Sequence, residues 1–156
     1  MPEIRIQRWS TVDFPLDLDA YRARFGSRFR RVGPYTQGVL LGAAKVLDPG
    51  CPADLGVFLG SGLANLAALV PVISSIHHPT RPRCSPIAFA SSVANVAAFH
   101  LAQAFELHGH NVTLSQEEVS FEAALLEAVL ALREGVCTWA LVGGVDVPYP
   151  DAAAQR

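Results

Sequence analysis

The residues most able to do chemistry lie in the short stretch SQEEVS, residues 115–120, where two glutamates stand between two serines. The stretch follows a short strand-like run and opens a long apolar helix. A strand that ends at a helix N-terminus is a common place to present a nucleophile, because free backbone N–H groups and the helix dipole stabilise a thiolate or an oxyanion there. This sequence has Glu118 at that place, and a carboxylate is a far poorer acyl acceptor than a thiolate.

Glu118 has two interpretations. In a capping box, Ser115 is the N-cap and Glu118, at the third helical position, reaches back to the amide of Ser115. In an enzyme, Glu118 would act as a general acid or base, as in a decarboxylase or a thioesterase-like hydrolase. A single carboxylate without a partner histidine offers little chemistry. The sequence therefore favours capping and leaves the enzymatic alternative open.

The cysteines and histidines form no recognisable motif. The cysteines are Cys51, Cys84 and Cys137. Their number and spacing fit neither a metal site nor a redox pair, which indicates reduced thiols in a cytoplasmic protein. His100 falls inside a predicted helix, and His108 and His110 flank a glycine at a helix end, where a loop is a simpler interpretation than a metal site. We therefore expect no metal and no cofactor.

Strands and helices alternate on either side of residues 115–120. The predicted strands are residues 4–9, 55–59, 111–114 and 137–142. The predicted helices are an arginine-rich one capped by Asp17 or Asp19, one over 35–47, one that Ser91 or Ser92 opens and Gly109 ends, and one from Ser115 to Gly135. The last helix is apolar nearly all round, which predicts burial on most sides. Such alternation favours a layered α/β fold with a parallel or mixed sheet.

The uncharged stretch from residue 55 to residue 76 raises two further possibilities. It is long enough for a membrane span, but Gly60, Gly62 and Pro71 interrupt it, and a strand, a turn and a buried helix explain it better. Gly60 and Gly62 are spaced as in a dinucleotide-binding turn. Asn65 stands where the third glycine should be and no acidic residue follows at the required distance, so that interpretation is weak.

Composition limits the protein to one domain and gives few clues to its partners. The chain has 156 residues, 51% of them hydrophobic, with 12 basic and 14 acidic side chains. Nothing in this balance favours nucleic acid or a membrane surface. Five of the arginines fall within residues 22–31, where they form either a docking patch for an anionic partner or a solvated helix face. The first residues, MPEIRIQRW, have no apolar core of an export signal.

Four stretches carry a resemblance to a known family. They are RRVGPYTQ at 30–37, GVFLGSGL at 56–63, SPIAFASSVANVAAFHLAQAFELHGHNVTLS at 85–115 and LVGGVDV at 141–147. Together they resemble the N-terminal half of the β-ketoacyl synthases, which have the thiolase fold. The resemblance implies an α/β fold, the N-terminal half of a thiolase-like fold, layered, with a mixed sheet and a buried helix.

The resemblance also implies the domain organisation. Residues 1–156 would be a single ketosynthase-like half domain, in which residues 1–33 are an N-terminal extension and residues 148–156 a flexible tail. The sequence stops just past the motif that closes the family's first half. The two active-site histidines that the family draws from its second half are therefore not expected among these residues.

The family's catalytic cysteine falls on Glu118 when the two sequences are compared without gaps. Ser120 then matches the family's serine two positions on, and Phe121 stands in place of the next residue, a glycine. The resemblance thus implies that this chain has no catalytic residue and has lost the condensing step.

An inactive chain of this kind resembles a chain-length factor, the silent half of a ketosynthase heterodimer in type II polyketide and aryl polyene synthesis. Its implied partner is an active β-ketoacyl-ACP synthase subunit, which it stabilises and whose acyl chain length it limits; an acyl carrier protein is involved indirectly. A structural homodimer is the other alternative. The residues expected at the interface or along the acyl tunnel are Ala88, Phe89, Ser92, Asn95, Phe99, Val112, Thr113 and Leu114.

Overall fold

The computed structural model of the protein describes residues 3–26, 28, 29, 31–47 and 50–148. Its sheet consists of β1 (Gly56–Gly60), β2 (Asn111–Leu114) and β3 (Ala140–Gly144), in the order β2-β1-β3. The layered α/β class is confirmed. The described strands are all parallel rather than mixed, because a helical connection returns the chain to the same end of the sheet before each new strand.

Helices cover both faces of the sheet. In chain order they are α1 (Leu18–Phe25), α2 (Pro34–Val46), α3 (Leu66–Ile76), α4 (Pro86–Ala90), α5 (Val96–Phe105) and α6 (Ser120–Glu134), with a 3₁₀ turn over Glu117–Val119 before α6. Val57 and Leu59 pack on the face covered by α2 and α5, and Phe58, between them, packs on the α6 face. This alternation is the two-residue period of a strand buried on both sides.

Several predicted boundaries are confirmed. Asp17 caps α1, where its Oδ1 accepts hydrogen bonds from the amides of Asp19 and Ala20 at 3.1 and 2.9 Å. The helix predicted over 35–47 is α2, with Pro34 in its first turn. Gly135 ends α6 in the left-handed conformation with a φ of 73°, which glycine adopts without steric cost.

The strand predicted over residues 4–9 is wrong. This segment joins no strand of the described sheet. Arg8 donates to the carbonyl of Val46 at 3.3 Å, and just after the segment Ser10 donates to the carbonyl of Gly42 at 2.9 Å and Lys45 donates to the carbonyl of Thr11 at 2.7 Å. The chain is therefore held against helix α2 by hydrogen bonds, and the apolar side chains of residues 4–9 stay exposed. Ile6 remains 84% exposed.

The helix predicted to begin at Ser91 or Ser92 and to end at Gly109 is present but shorter at both ends. It is α5, which begins at Val96 after a turn over residues 91–95 and ends at Glu106 in the left-handed conformation with a φ of 56°. The short helix α4, which was not predicted, precedes the turn. Gly109 serves another purpose, because a Cβ on it would collide with the carbonyl oxygen of Asp54. It permits two backbone segments to approach closely.

Helix α6 is buried along one stripe rather than on most sides. Ser120, Ala124, Ala128 and Ala131 face the sheet. On the outer side, Leu126 is 60% exposed. Helix α6 therefore has apolar side chains on its outer side that the described residues do not cover.

Two further expectations concern the chain ends and the membrane. The predicted flexible tail lies outside the described residues, apart from residue 148. The uncharged stretch 55–76 contains strand β1, a turn and helix α3. No helix in the described part of the chain is long and apolar enough to cross a membrane.

Candidate functional site

The loops that follow the three strands meet at one edge of the sheet, which we call the carboxyl edge. Gly60 of β1 is in register with Leu114 of β2 and with Gly144 of β3. Because the strands are parallel, residues 60–63, 115–119 and 145–147 all leave the sheet at this edge. This is the place where α/β folds gather their binding and catalytic groups.

The turn over residues 115–119, which we call the elbow, changes direction at Glu117. Glu117 has a φ of 52°, a conformation that side chains other than glycine rarely adopt. Ser120 holds the turn: its Oγ accepts a hydrogen bond from the amide of Gln116 at 2.8 Å and donates to the carbonyl of Glu117 at 2.7 Å. Strained backbone conformations persist where the surroundings fix them, and they are frequent at functional sites.

The glycines after β1 pack directly against the elbow. A Cβ on Gly60 would collide with the carbonyl oxygen of Ser120, and a Cβ on Gly62 would lie 2.7 Å from the carbonyl oxygen of Glu117. The two glycines are therefore explained by close packing of backbone on backbone, and a nucleotide is not needed to account for them.

Asp146, which follows β3, fixes the same glycine turn. Its carboxylate accepts hydrogen bonds from Ser61 Oγ at 2.8 Å, from the amide of Gly62 at 3.2 Å and from the amide of Leu63 at 2.9 Å. Such charge-assisted bonds are stronger than bonds between neutral groups. Asp146 thus ties the end of β3 to the end of β1.

Tyr35 brings a third segment to this cluster. It is 2% exposed, and its hydroxyl donates to the carbonyl of Ala94 at 3.1 Å. Burial raises the pKa of Tyr35, the Asp146 charge raises it further, and a hydrogen bond with Ser61 acts in the opposite direction. Three of the sequence stretches singled out above, around residues 35, 61 and 146, therefore meet in one hydrogen-bonded cluster.

The capping box predicted at the elbow is wrong. Ser115 does not cap a helix: the 3₁₀ turn starts at Glu117 without a side-chain cap, and α6 begins at Ser120. The positive φ of Glu117 turns the chain before a capping geometry can form. Both glutamates are exposed, and neither side chain makes a hydrogen bond or an ion pair with any residue that the structure describes.

The buried thiol and two of the imidazoles lie at the other edge of the sheet. Cys137 is 4% exposed and packs near Gly56, at the amino end of β1, and burial raises its pKa. His108 and His110 precede β2, so they also lie at the amino edge of the sheet. His77 and His78 follow α3, while His100 is within α5. The elbow itself therefore offers two free carboxylates and no thiol.

Some of the residues predicted for an interface or tunnel come together. A groove of about 530 Å³ between α5 and β2 is lined by Ala94, Asn95, Phe99, Ala102, Asn111 and Thr113. Phe99 is 60% exposed, and Thr113 Oγ1 is buried without a hydrogen-bond partner in the described structure. The groove runs along β2, which is an edge strand of the sheet.

The other predicted interface residues do not line this groove. Val112 and Leu114 point to the opposite face of the sheet and pack against the α6 core. Ala88 and Phe89 are exposed on α4, and Phe89 is 53% exposed. Ser92 is 3% exposed and donates to the carbonyl of Phe89 at 2.8 Å, so its role in the described structure is to hold the turn after α4.

Sequence reasoning missed Glu117 and Asp146. The positive φ of Glu117 has no signal in its residue type, because glutamate carries no preference for the left-handed region. Asp146 had a signal that could have been used, since an acidic residue two positions after the end of a buried strand is well placed to accept hydrogen bonds from a neighbouring glycine turn.

A family model and solved structures place the chain among known proteins. The model of the β-ketoacyl synthase N-terminal domain matches residues 29–155. A search of curated proteins found no match. Among solved structures, a chain from the ketosynthase ApeO in complex with its chain length factor ApeC from Xenorhabdus doucetiae is 17% identical, with a TM-score of 0.60, over 78% of this chain and 46% of that chain.

A second solved structure gives the same result. A β-ketoacyl synthase from Burkholderia phymatum STM815 is 18% identical, with a TM-score of 0.62, over 81% of this chain and 33% of that chain. The present chain thus spans less than half the length of either structure. The expected fold, the N-terminal half of a thiolase-like fold, is confirmed.

Proposed function

From the premise that this chain belongs to the β-ketoacyl synthase family, whose N-terminal domain it contains, we propose that it is a non-catalytic partner of an active β-ketoacyl-ACP synthase. In this proposal it acts as a chain-length factor: it forms a heterodimer with the active subunit, stabilises that subunit and limits the length of the acyl or polyene chain. An acyl carrier protein meets the complex through the active subunit. The three free cysteines fit a cytoplasmic location.

The observation that carries the proposal is the composition of the elbow. It combines a strand end, a residue with positive φ and a helix start, which is the geometry that presents a nucleophile, but its side chains there are Glu117 and Glu118. In the register of the resemblance, Glu118 takes the place of the catalytic cysteine. A carboxylate does not sustain thioester exchange at a useful rate. The elbow keeps its shape without the group that would do the chemistry.

A second line of support is the exposed apolar side chains of α4 and α5. Phe99 and Phe89 are 60% and 53% exposed, and Ile87 is 77% exposed. Large exposed apolar side chains are typical of protein interfaces. Phe99 also lines the groove beside the edge strand β2, where a partner subunit would cover it.

One of the solved structures named above supports the proposal by analogy alone. It is a ketosynthase bound to its chain length factor, and at 17% identity the likeness carries only the fold. The partner role proposed for this chain therefore depends on the elbow and on the apolar groove.

Co-purification tests the proposal. The chain is expressed with a tag alongside a β-ketoacyl synthase encoded in the same genome, and the eluate is analysed by size-exclusion chromatography with light scattering. We expect one heterodimeric peak. Phe99→Asp should abolish it, because a charge would be buried at the interface, whereas Ile6→Asp, at an exposed position distant in sequence from the groove, should leave it intact. A chain that elutes alone and ignores the synthase contradicts the proposal.

A further inference from the structure

A second cavity, of about 460 Å³, lies at the opposite edge of the sheet from the elbow. It is enclosed by the end of α1, the end of α5 and the segment around residues 50–53. Residue 53 lies shortly before β1 and residue 106 shortly before β2, so the cavity borders the amino ends of the strands. Its size is within the range of cavities that bind ligands, and the proposed function makes no use of it.

Three aromatic rings form the floor of this cavity. The ring centre of Phe25 lies 6.2 Å from that of Phe29 and 6.3 Å from that of Phe105, both in edge-to-face geometry. Phe29 is 4% exposed, and Phe25 and Phe105 are half-buried. The floor is therefore a fixed apolar surface that an incoming apolar side chain can contact.

Two arginines form the rim. Arg28 is held in place, since its Nη2 donates to the carbonyl of Gln103 at 3.1 Å and its guanidinium carbon lies 5.1 Å from the ring centre of Phe29. Arg24 is exposed and makes no hydrogen bond or ion pair with the described residues. Glu106 is the acidic residue of the lining.

The charges around the rim favour an anionic partner. Arg22 is bound to Asp19 at 3.0 Å, which leaves the two arginines of the lining, Arg24 and Arg28, as cations without an acidic partner in the described structure. The protein as a whole carries a formal net charge of −2. A local positive patch on a net negative chain attracts a locally acidic surface and repels a long polyanion such as nucleic acid.

We propose that this cavity, which we call the arginine pocket (Arg24, Phe25, Arg28, Phe29, Phe105 and Glu106), docks an acidic segment of a partner protein. Carboxylates of the segment pair with Arg24 and Arg28, because the planar guanidinium binds a carboxylate through two parallel hydrogen bonds. An apolar side chain of the same segment rests on the phenylalanine floor. This inference is independent of the proposed function, since the pocket and the elbow lie at opposite edges of the sheet.

Fluorescence anisotropy with a short labelled peptide of alternating glutamate and leucine tests the inference on the full chain at low salt. We expect saturable binding that weakens as salt is added. Arg24→Gln combined with Arg28→Gln should weaken it by about tenfold, as expected for the loss of two charge-assisted contacts. Arg24→Gln alone should weaken peptide binding less than the double variant does. It should leave the thermal unfolding transition unchanged, because Arg24 has no hydrogen bond or ion pair to lose within the described chain. If the double variant misfolds, the peptide affinity of this single variant tests the inference.

The matched control is Arg81→Gln combined with Arg83→Gln, which removes two exposed arginines from the loop after α3. This variant should bind the peptide as the wild type does. Three results would overturn the inference: equal binding by the Arg24 and Arg28 variants, equal affinity for a peptide with glutamine in place of glutamate, or full displacement of the peptide by an equimolar amount of inorganic phosphate. The last result would identify a small-anion site instead.

Discussion

Asp146 and Ser61 face each other across the ends of two neighbouring strands, with the Ser61 hydroxyl 2.8 Å from the Asp146 carboxylate. The same carboxylate binds the two amides that follow Ser61. The glycine turn held in this way is the surface on which the elbow rests. The position of Glu117 and Glu118 therefore depends on a side chain that is far from them in sequence.

Replacing Asp146 should loosen the turn after β1. Asp146→Ala removes the acceptor of three hydrogen bonds and leaves the buried Ser61 hydroxyl without the carboxylate to which it donates, so we expect a loss of about 1–3 kcal/mol in the free energy of unfolding. Urea denaturation followed by circular dichroism measures this. Asp19→Asn, at an exposed position in α1, should change stability by less than about 0.5 kcal/mol. Equal stability of the Asp146 variant and the wild type would refute the role given to this carboxylate.

A methyl group at Gly62 should disturb the elbow. Gly62→Ala places a Cβ 2.7 Å from the carbonyl oxygen of Glu117, and the backbone must move to make room. We expect a loss of about 1–3 kcal/mol in stability. Gly42→Ala is the matched control, because its Cβ would meet only ordinary contacts in α2, with Val12 at 3.6 Å, and a helical alanine gains up to about 1 kcal/mol over glycine. The two substitutions should act in opposite directions.

His100 should make the fold sensitive to acid. Burial lowers the pKa of His100 below its ordinary value of 6.5, and a hydrogen bond with Gln103 opposes the shift. The unfolded chain then binds a proton more readily than the folded chain, so stability rises with pH. The stability due to neutral His100 is complete above pH 6.5 and falls as the pH drops below that value.

The test compares denaturant midpoints at pH 7.5 and pH 5.5. The wild type should lose more stability than His100→Gln over this range, whereas His77→Gln, at an exposed position after α3, should behave as the wild type does. The carboxylates are the same in all three proteins, so their contribution to the loss of stability cancels when the losses are compared. Identical losses in wild type and His100→Gln would show that this imidazole is not the sensitive group.

Local sequence signals predicted the elements whose formation depends on neighbouring residues. The sequence predicted strand β2, helix α2 and the glycine cap at Gly135. Each follows from the periodic spacing of apolar residues or from the type of the capping residue. The strand expected over residues 4–9 is wrong, because the segment pairs with no described strand and its alternating apolar side chains, such as Ile6 and Trp9, remain exposed. The alternation of apolar and polar residues does not specify which part of the protein packs against a segment.

The sequence predicted the location of the candidate site but not its backbone conformation. The sequence located the turn between Leu114 and Ser120, and the structure confirms a turn there. It did not predict the positive φ of Glu117, which arises from packing against Gly62 and from the hydrogen bonds of Ser120. The packing joins residues distant in the chain, and no short motif encodes it.

The condensing activity of a reconstituted complex shows whether Glu117 and Glu118 take part in catalysis. The chain carrying Glu117→Ala and Glu118→Ala is combined with the active β-ketoacyl synthase, and elongation of an acyl thioester is measured against the wild-type complex. Because both glutamate side chains are exposed and unbonded in the described structure, the variant should fold with a stability within about 1 kcal/mol of the wild type. We expect an unchanged rate, with activity lost only when the nucleophilic cysteine of the partner subunit is replaced. Loss of turnover in the glutamate variant, with the complex intact, would show that this chain contributes catalytic groups of its own.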